Sequence, residues 1–303
     1  SGRSDVVSLS TDRGTIIIKR YRASVDDPAI AGEHSVLLEL GRRCFPAPRL
    51  VGGPSGETLV RHAGERYAAF EALEGYQPAH ALLSLPGAAR RLARDAGRSL
   101  AALHSALDRF APSGTNPDGL SWPDGGRVRP VDWYLERLSA ATGGRGLDPD
   151  EQRRAGERLA ALETELPARL PRRAVIHGDY GPYNLLVRPG EPLVVTDFEL
   201  ARLDWSLTDL ATALPRFAAN RFGLSHRRAL AFLDGYTAVI PLSEEERRLI
   251  PQVLEYLSLR RVAVCVGRWM STGEQRWLDE AVAKVRQARM LRDGRHPLAR
   301  LLD

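Results

Sequence analysis

Cysteine is nearly missing from this sequence. Cys44 and Cys265 stand far apart, too few for a disulfide framework and at no zinc-ligand spacing, so two reduced thiols are expected. Lysine is scarcer than any composition rule requires: of 43 basic residues only Lys19 and Lys284 are lysines. A lysine retained against such a preference for arginine is a candidate for a site that needs a compact ammonium. No apolar stretch approaches the ~18 residues that suggest a membrane span. The first residues, Ser1-Gly2-Arg3-Ser4-Asp5, hold no apolar signal core, and we expect a cytoplasmic protein. A basic run with interleaved aromatics is missing too. The net charge of +5 is spread beside acids, as in Asp150-Glu151-Gln152-Arg153-Arg154, which reads as solvated helix faces and not as a nucleic-acid groove.

What is present is a chain of 303 residues, 43% hydrophobic, enough for one large domain or two modest ones. Its first third reads as strands. Val6–Ser10 and Thr15–Tyr21 flank an Asp/Gly turn, and Arg49–Val51 and Thr58–Arg61 flank a Gly/Pro/Ser turn, which predicts two hairpins. Between them Glu33 to Arg43 has helical spacing. Tyr67–Leu73 is a short strand closing at Gly75. Beyond it the pattern turns helical over Leu92–Leu107, Val131–Ala141 and Asp150–Leu166, with residues 111–130 a Pro/Gly loop. Residues 174–200 return to two β-type segments around a polar turn, and from Leu207 onward the chain reads as helices broken near Pro241 and His296-Pro297. A β-rich part of about 75 residues followed by a mainly helical part is an α+β layout.

The chemistry concentrates in His177-Gly178-Asp179-Tyr180-Gly181-Pro182-Tyr183-Asn184, set between the apolar runs Ala174–Ile176 and Leu185–Val187. The next apolar run, Leu193–Thr196, ends in Asp197-Phe198-Glu199. A hairpin between the two runs places Asp197 beside Asn184, so three oxygen-bearing side chains share one end of a short sheet. An Asn carbonyl and an Asp carboxylate are hard oxygen ligands suited to magnesium when phosphates complete the shell. Asp179 then remains to accept a hydrogen bond from an attacking hydroxyl, and phosphoryl transfer asks a protein mainly for position and charge neutralisation.

H-G-D-x-x-x-x-N with a downstream D-F-E resembles the aminoglycoside phosphotransferase and choline kinase group, relatives of the protein kinases, and the resemblance covers nearly the whole chain. It implies a bilobal protein-kinase-like fold, with residues 1–75 as the nucleotide-binding lobe and 76–303 as the catalytic and substrate-binding lobe, using ATP and Mg2+. By resemblance Lys19 holds the α- and β-phosphates, paired with Glu33 at the opening of its helix or, failing that, with Glu39. Asp179 is the catalytic base, and Asn184 and Asp197 bind the metal. His177 and Asp209 brace the loop, and Leu100–His104 is similar to the family's helix before the catalytic region. Adenine meets the Glu71 carbonyl and the Leu73 amide. Ser10 and Thr11 touch the phosphates or are ordinary turn residues. The turn holding them, Ser10–Gly14, departs from protein kinases in lacking G-x-G-x-x-G.

The acceptor is the open question. Tyr180, Tyr183, Glu199 and Asp204 are candidates to meet it, with Asp132, Glu255 and Tyr256 behind them. Phe232–Tyr236 and Pro241–Glu246 also resemble the homoserine-kinase-like branch. The expected acceptor is a small hydroxylated molecule: an antibiotic of aminoglycoside or nucleoside type, or a related natural product, with antibiotic resistance, biosynthesis and primary metabolism all open as its role. Alternatives are a homoserine-like metabolite, a protein Ser/Thr kinase on the same small plan, and a nucleotide-binding pseudokinase.

Overall fold

The computed structural model describes residues 4–12, 14–23, 25–112, 131–143, 148–170 and 172–302. Most of the loop expected at 111–130 lies outside them.

β1 (Ser4–Thr11) and β2 (Gly14–Tyr21) form the expected antiparallel hairpin, with Val6 opposite Lys19. α1 runs Asp27–Arg42, six residues earlier than the apolar spacing predicts, because Asp26 caps it by accepting the Ala29 amide at 2.9 Å and Pro28 supplies a helical φ in the first turn. Glu33 therefore lies inside the helix, not at its opening. β3 (Leu50–Val51), β4 (Val60–His62) and β5 (Glu65–Glu71) complete the sheet. The second expected hairpin is not formed: β3 and β4 do not pair with each other. Each pairs with β5, Leu50 opposite Phe70 and Val60 opposite Tyr67. β4 and β5 are joined across Ala63 and Gly64, both at positive φ, a two-residue turn whose twist suits a hairpin.

β6 (Gln77–Pro78) and α2 (Pro86–Ala106) follow. α3 (Val131–Thr142) and α4 (Pro149–Arg169) match their expected spans closely. Next come β7 (Arg173–Ile176), β8 (Leu185–Val187), β9 (Val194–Val195) and β10 (Arg202–Trp205). The remaining helices are α5 (Ser206–Ala218), α6 (His226–Thr237), α7 (Glu244–Thr272), α8 (Gln275–Arg292) and α9 (Pro297–Leu302). An antiparallel sheet followed by a mainly helical remainder makes the chain α+β. No helix among the described residues is long and apolar enough to cross a membrane.

The chain divides into two compact units, residues 1–119 with 174–241, and residues 120–173 with 242–303. The second unit is built on α7, which starts in a capping box between Ser243 and Glu246 and ends at Gly273 in the left-handed region. Its interior carries two buried carboxylates held by arginine: Glu255 by Arg158 and Glu151 by Arg292.

In the first unit α2 and α6 cross at backbone contact. A Cβ on Gly97 would lie 1.9 Å from the Phe232 carbonyl, and one on Gly235 would lie 1.9 Å from the Arg94 carbonyl. The two glycines let each helix seat in the other, and this crossing sets Tyr236 against His104. Gly97→Val should therefore cost about 3 kcal/mol or more through overpacking that backbone cannot relieve. Chemical denaturation reads it directly; a loss within about 0.5 kcal/mol would refute the close crossing.

Candidate active site

The segment His177–Asn184 leaves β7 and enters β8 as a tight loop, and its shape follows from a few contacts. Asp209, in the first turn of α5, is fully buried and takes the His177 amide on Oδ2 at 2.7 Å and the Gly178 amide on Oδ1 at 2.9 Å. His104 of α2 bridges Asp209 Oδ2 at 3.2 Å and the Tyr236 hydroxyl at 3.0 Å. Burial opposes ionisation of Asp209. The hydrogen bonds it takes from His104 and from the His177 amide outweigh it and hold the carboxyl below its ordinary range. Gly178 has φ 81°, and a Cβ there would lie 2.5 Å from the Leu200 carbonyl, so the middle residue of H-G-D has to be glycine. The His177 ring is buried, with Nε2 donating to the Thr196 carbonyl at 2.8 Å and Nδ1 accepting the Asp179 amide at 3.2 Å. It thus ties the loop to the strand that delivers Asp197.

Both oxygens of Asp179 are engaged. Oδ2 accepts from Asn184 Nδ2 at 3.2 Å, and Oδ1 meets Arg216 at 2.7 Å. Arg216 also donates to the Tyr180 carbonyl at 3.2 Å. Asn184 Nδ2 donates in addition to the Asp179 carbonyl at 2.9 Å, which leaves its Oδ1 as the atom suited to a cation. β8 and β9 pair with Leu185 opposite Val195, and the Thr196 amide donates to the Asn184 carbonyl at 2.9 Å, so the hairpin does bring Asp197 alongside Asn184. Asp197 itself has φ 65°, a left-handed backbone that Asp tolerates better than most residues and that recurs at functional sites. Its side chain reaches solvent, yet surrounding protein desolvates it and raises its pKa. Lys19 pulls the other way, while Glu33 and Asp179 push it further up. Lys19, Glu33 and Asp179 therefore all lie close enough to Asp197 to act on its charge.

Lys19 is buried on β2 with Nζ 2.7 Å from Glu33 Oε1 and 3.8 Å from Glu199 Oε2. Glu33 is thus the partner; Glu39 instead pairs with Arg42 and Arg43 at the surface. Next to Glu33, His34 is 4% exposed, and burial, then the charge of Lys19, lower its pKa from 6.5 to about 4. Because the folded pKa is depressed, the unfolded chain takes up the proton first. The stabilisation is complete above pH 6.5 and is lost as pH falls toward 4, a change of about 3 kcal/mol. Urea unfolding at stepped pH should show this slope in the native protein and lose most of it in His34→Gln; equal slopes would exclude His34 as its source.

Other candidates are placed elsewhere. Tyr180 is a correction: it is fully buried and its hydroxyl donates to the Ala96 carbonyl at 2.9 Å, so its ring packs in the core and cannot line an acceptor pocket. Tyr183 is 76% exposed and stacks on His80. Asp204 is engaged by Arg202 at 2.8 Å and by the Trp205 amide at 2.8 Å. Ser10 and Thr11 lie exposed at the hairpin end, Thr11 Oγ1 donating to the Gly14 carbonyl. The Glu71 amide donates to the Arg49 carbonyl, and the Leu73 carbonyl takes the Tyr76 amide. Asp132, Glu255 and Tyr256 belong to the second unit, where Glu255 is buried against Arg158 and Tyr256 accepts from Arg260. Sequence reasoning gave no role to Arg216, His104 or Tyr236. Nothing marks Arg216 out among so many arginines, and His104 and Tyr236 become neighbours only through the helix crossing.

A kinase-like sheet, a buried Lys–Glu pair and a braced H-G-D loop facing an Asp at a strand end define a phosphotransferase of the small-molecule kinase class. The chain belongs to the phosphotransferase enzyme family, matching its profile over residues 1–251. It is 31% identical over 268 residues to a homoserine kinase of Beijerinckia indica, covering 87% of this chain and 77% of that one. A homoserine kinase of Methylobacterium radiotolerans is 27% identical over 299 residues, covering 95% and 87%. Among solved structures, a microcompartment-associated aminopropanol kinase shares the fold with a TM-score of 0.64 at 19% identity, over 98% of this chain and 95% of that one. An aminoglycoside phosphotransferase from Alicyclobacillus acidocaldarius does so with a TM-score of 0.63 at 19% identity, over 99% and 90%.

Proposed function

We propose that the protein transfers the γ-phosphoryl group of ATP to a hydroxyl of a small, amine-bearing metabolite or natural product, with Asp179 as the catalytic base. The observation that carries this reading is geometric: a buried Lys19–Glu33 pair at 2.7 Å, Asn184 within 3.2 Å of Asp179, and a hairpin whose Thr196 amide donates to the Asn184 carbonyl, so that Asp197 follows beside Asn184. Lys19 contacts the α- and β-phosphates. Asp179, its rotamer held from both sides, accepts the hydrogen bond of the attacking hydroxyl and takes its proton as the new O–P bond forms. Asn184 Oδ1 and the Asp197 carboxylate are a hard-oxygen pair that fits Mg2+ with phosphate oxygens completing the shell. When bound, the ion neutralises charge on those oxygens. The 71–73 strand end receives adenine through the Glu71 carbonyl and the Leu73 amide. Glu199, near Lys19, sits where it can serve metal or phosphate.

The names carried by relatives and fold neighbours include homoserine, aminopropanol, ethanolamine, choline and aminoglycosides, all hydroxyl compounds bearing an amine or, in choline, a quaternary ammonium. An antibiotic or related natural product is one member of that class. Homoserine is the second reading, favoured by the curated relatives near 30% identity. A protein substrate is disfavoured because only 11 residues separate Asp197 from Asp209, and β10 and the start of α5 occupy most of them. That leaves no long activation loop to dock a peptide. The test is radiolabelled ATP with homoserine, short amino alcohols, aminoglycosides and nucleoside antibiotics in parallel with protein substrates. Label in one small molecule is expected. Label in proteins alone overturns the reading, and tight ATP binding with label in neither favours a pseudokinase.

A further inference from the structure

Behind the Lys19–Glu33 pair runs a buried chain of hydrogen bonds to which no role has so far been given. Glu33 Oε1 meets Lys19 at 2.7 Å, and Glu33 Oε2 accepts the Tyr21 hydroxyl at 2.9 Å. The Tyr21 oxygen lies 3.0 Å from His34 Nε2, and His34 Nδ1 lies 2.8 Å from Thr58 Oγ1. Tyr21 is 1%, Glu33 5% and His34 4% exposed, so water does not substitute for these partners.

The direction of every link follows from donor counting. A phenol has one hydrogen, and Tyr21 gives it to the carboxylate, so toward His34 it can only accept. His34 Nε2 must then carry the hydrogen. His34 is neutral near pH 7, its pKa lowered to about 4 by burial and by Lys19. Nδ1 is therefore an acceptor, and Thr58 donates to it. Burial, reinforced by Glu33, drives the Tyr21 phenol far above its ordinary range, so it stays protonated and remains a donor. The chain reads one way only: Thr58 to His34 to Tyr21 to Glu33 to Lys19.

We propose that Tyr21 and His34 are positioning residues for the phosphate-contacting lysine, fixing Glu33 through Oε2 so that Oε1 presents a single geometry to Lys19. A carboxylate held by one oxygen alone can rotate about its last two torsions and carry the ammonium with it. Held by both, it aims the ammonium at one place before the nucleotide arrives, which is the kind of preorganisation that phosphoryl transfer rewards. The Tyr21 ring contributes separately, lying 5.0 Å from Lys19 Nζ. Tyr21→Phe keeps the ring and removes only the link. His34→Leu removes the donor to Tyr21. His34→Gln returns an N–H near the Nε2 position.

The inference rests on reading Lys19 as the phosphate contact, and the experiment separates the two. Because the chain has only two lysines, protein labelled with isotopic lysine shows two sets of side-chain resonances, and a Lys284→Arg spectrum assigns them. MgATP affinity is measured by calorimetry on the same samples, and the Michaelis constants for both substrates once an acceptor is known. In Tyr21→Phe and His34→Leu the Lys19 resonance should move or broaden while that of Lys284 stays. MgATP affinity should weaken about 5- to 10-fold, the scale of one ordinary hydrogen bond, because the loss reaches the nucleotide only through Glu33 and Lys19. The acceptor Michaelis constant should hold, and His34→Gln should recover most of the loss. A Lys19 resonance and MgATP affinity unchanged in Tyr21→Phe would overturn the proposal while leaving the lysine's role intact. A moved resonance with unchanged affinity would instead overturn the phosphate reading of Lys19, and the functional claim with it.

Discussion

Asp179→Asn is expected to abolish phosphoryl transfer while MgATP binding survives. Asparagine has the shape of aspartate, but its amide cannot take a proton from the attacking hydroxyl. The loss falls on the transition state and not on nucleotide affinity, and general-base catalysis is worth roughly 10²–10⁴ in rate. The fold should tolerate the change. The Arg216–Asp179 pair is about 42% exposed on both sides, a solvent-screened contact worth about 0–1 kcal/mol. Removing the charge also relieves its repulsion of Asp197. The measurement is turnover beside calorimetric MgATP affinity and a thermal midpoint. Turnover within about tenfold of the native rate, in a protein that melts normally, would refute the assignment of the base.

Asp197→Ala should remove the magnesium dependence of nucleotide binding. The carboxylate is held against desolvation and against the charges of Glu33 and Asp179, with Lys19 its main support. Such a group is costly to the apo protein and is expected to be satisfied when a divalent cation and phosphates arrive. ATP affinity should fall about tenfold or more in the presence of magnesium and become the same with and without it. Thermal stability should not fall for electrostatic reasons, since like-charge repulsion is relieved. Alanine does carry a backbone cost at φ 65°, so Asp197→Asn, which tolerates that conformation, is the control for folding. Retained magnesium dependence in a calorimetric titration of both variants would show that Asp197 is not a ligand.

Much of this site is legible in the sequence. The H-G-D-x-x-x-x-N spacing between two apolar runs predicts a loop between strands, and a hairpin then requires Asp197 to return beside Asn184. Strand pairing is local there, so alternation and spacing suffice. The first hairpin was legible for the same reason. The second is not legible, because its turn chemistry is hidden. The Gly/Pro/Ser stretch looks like the turn, whereas the hairpin joins β4 to β5 across Ala63 and Gly64, and an alanine at positive φ gives no local warning. α1 begins ahead of its apolar spacing because Asp26, Asp27 and Pro28 form its cap and first turn; apolar periodicity alone marks where a helix packs, not where it begins.

Residue types and their order determined the class of chemistry. A lysine spared in an arginine-rich chain, an Asp and an Asn five apart, and an Asp ending an apolar run are chemical statements that hold whatever the packing. Only the tertiary structure decided which of several aromatic and acidic neighbours take part. Tyr180 and Tyr183 look alike in sequence, yet one is sealed in the core on the Ala96 carbonyl and the other stands exposed. Glu33 and Glu39 lie on the same helix, and just one faces Lys19. The bracing of Asp209 by His104 needs α2 and α6 to approach at Gly97 and Gly235, and the link from Thr58 to Glu33 needs β2, α1 and the chain before β4 to meet in one place. Such contacts join residues far apart along the chain, and no local propensity or spacing encodes them, because they exist only once the intervening backbone is packed.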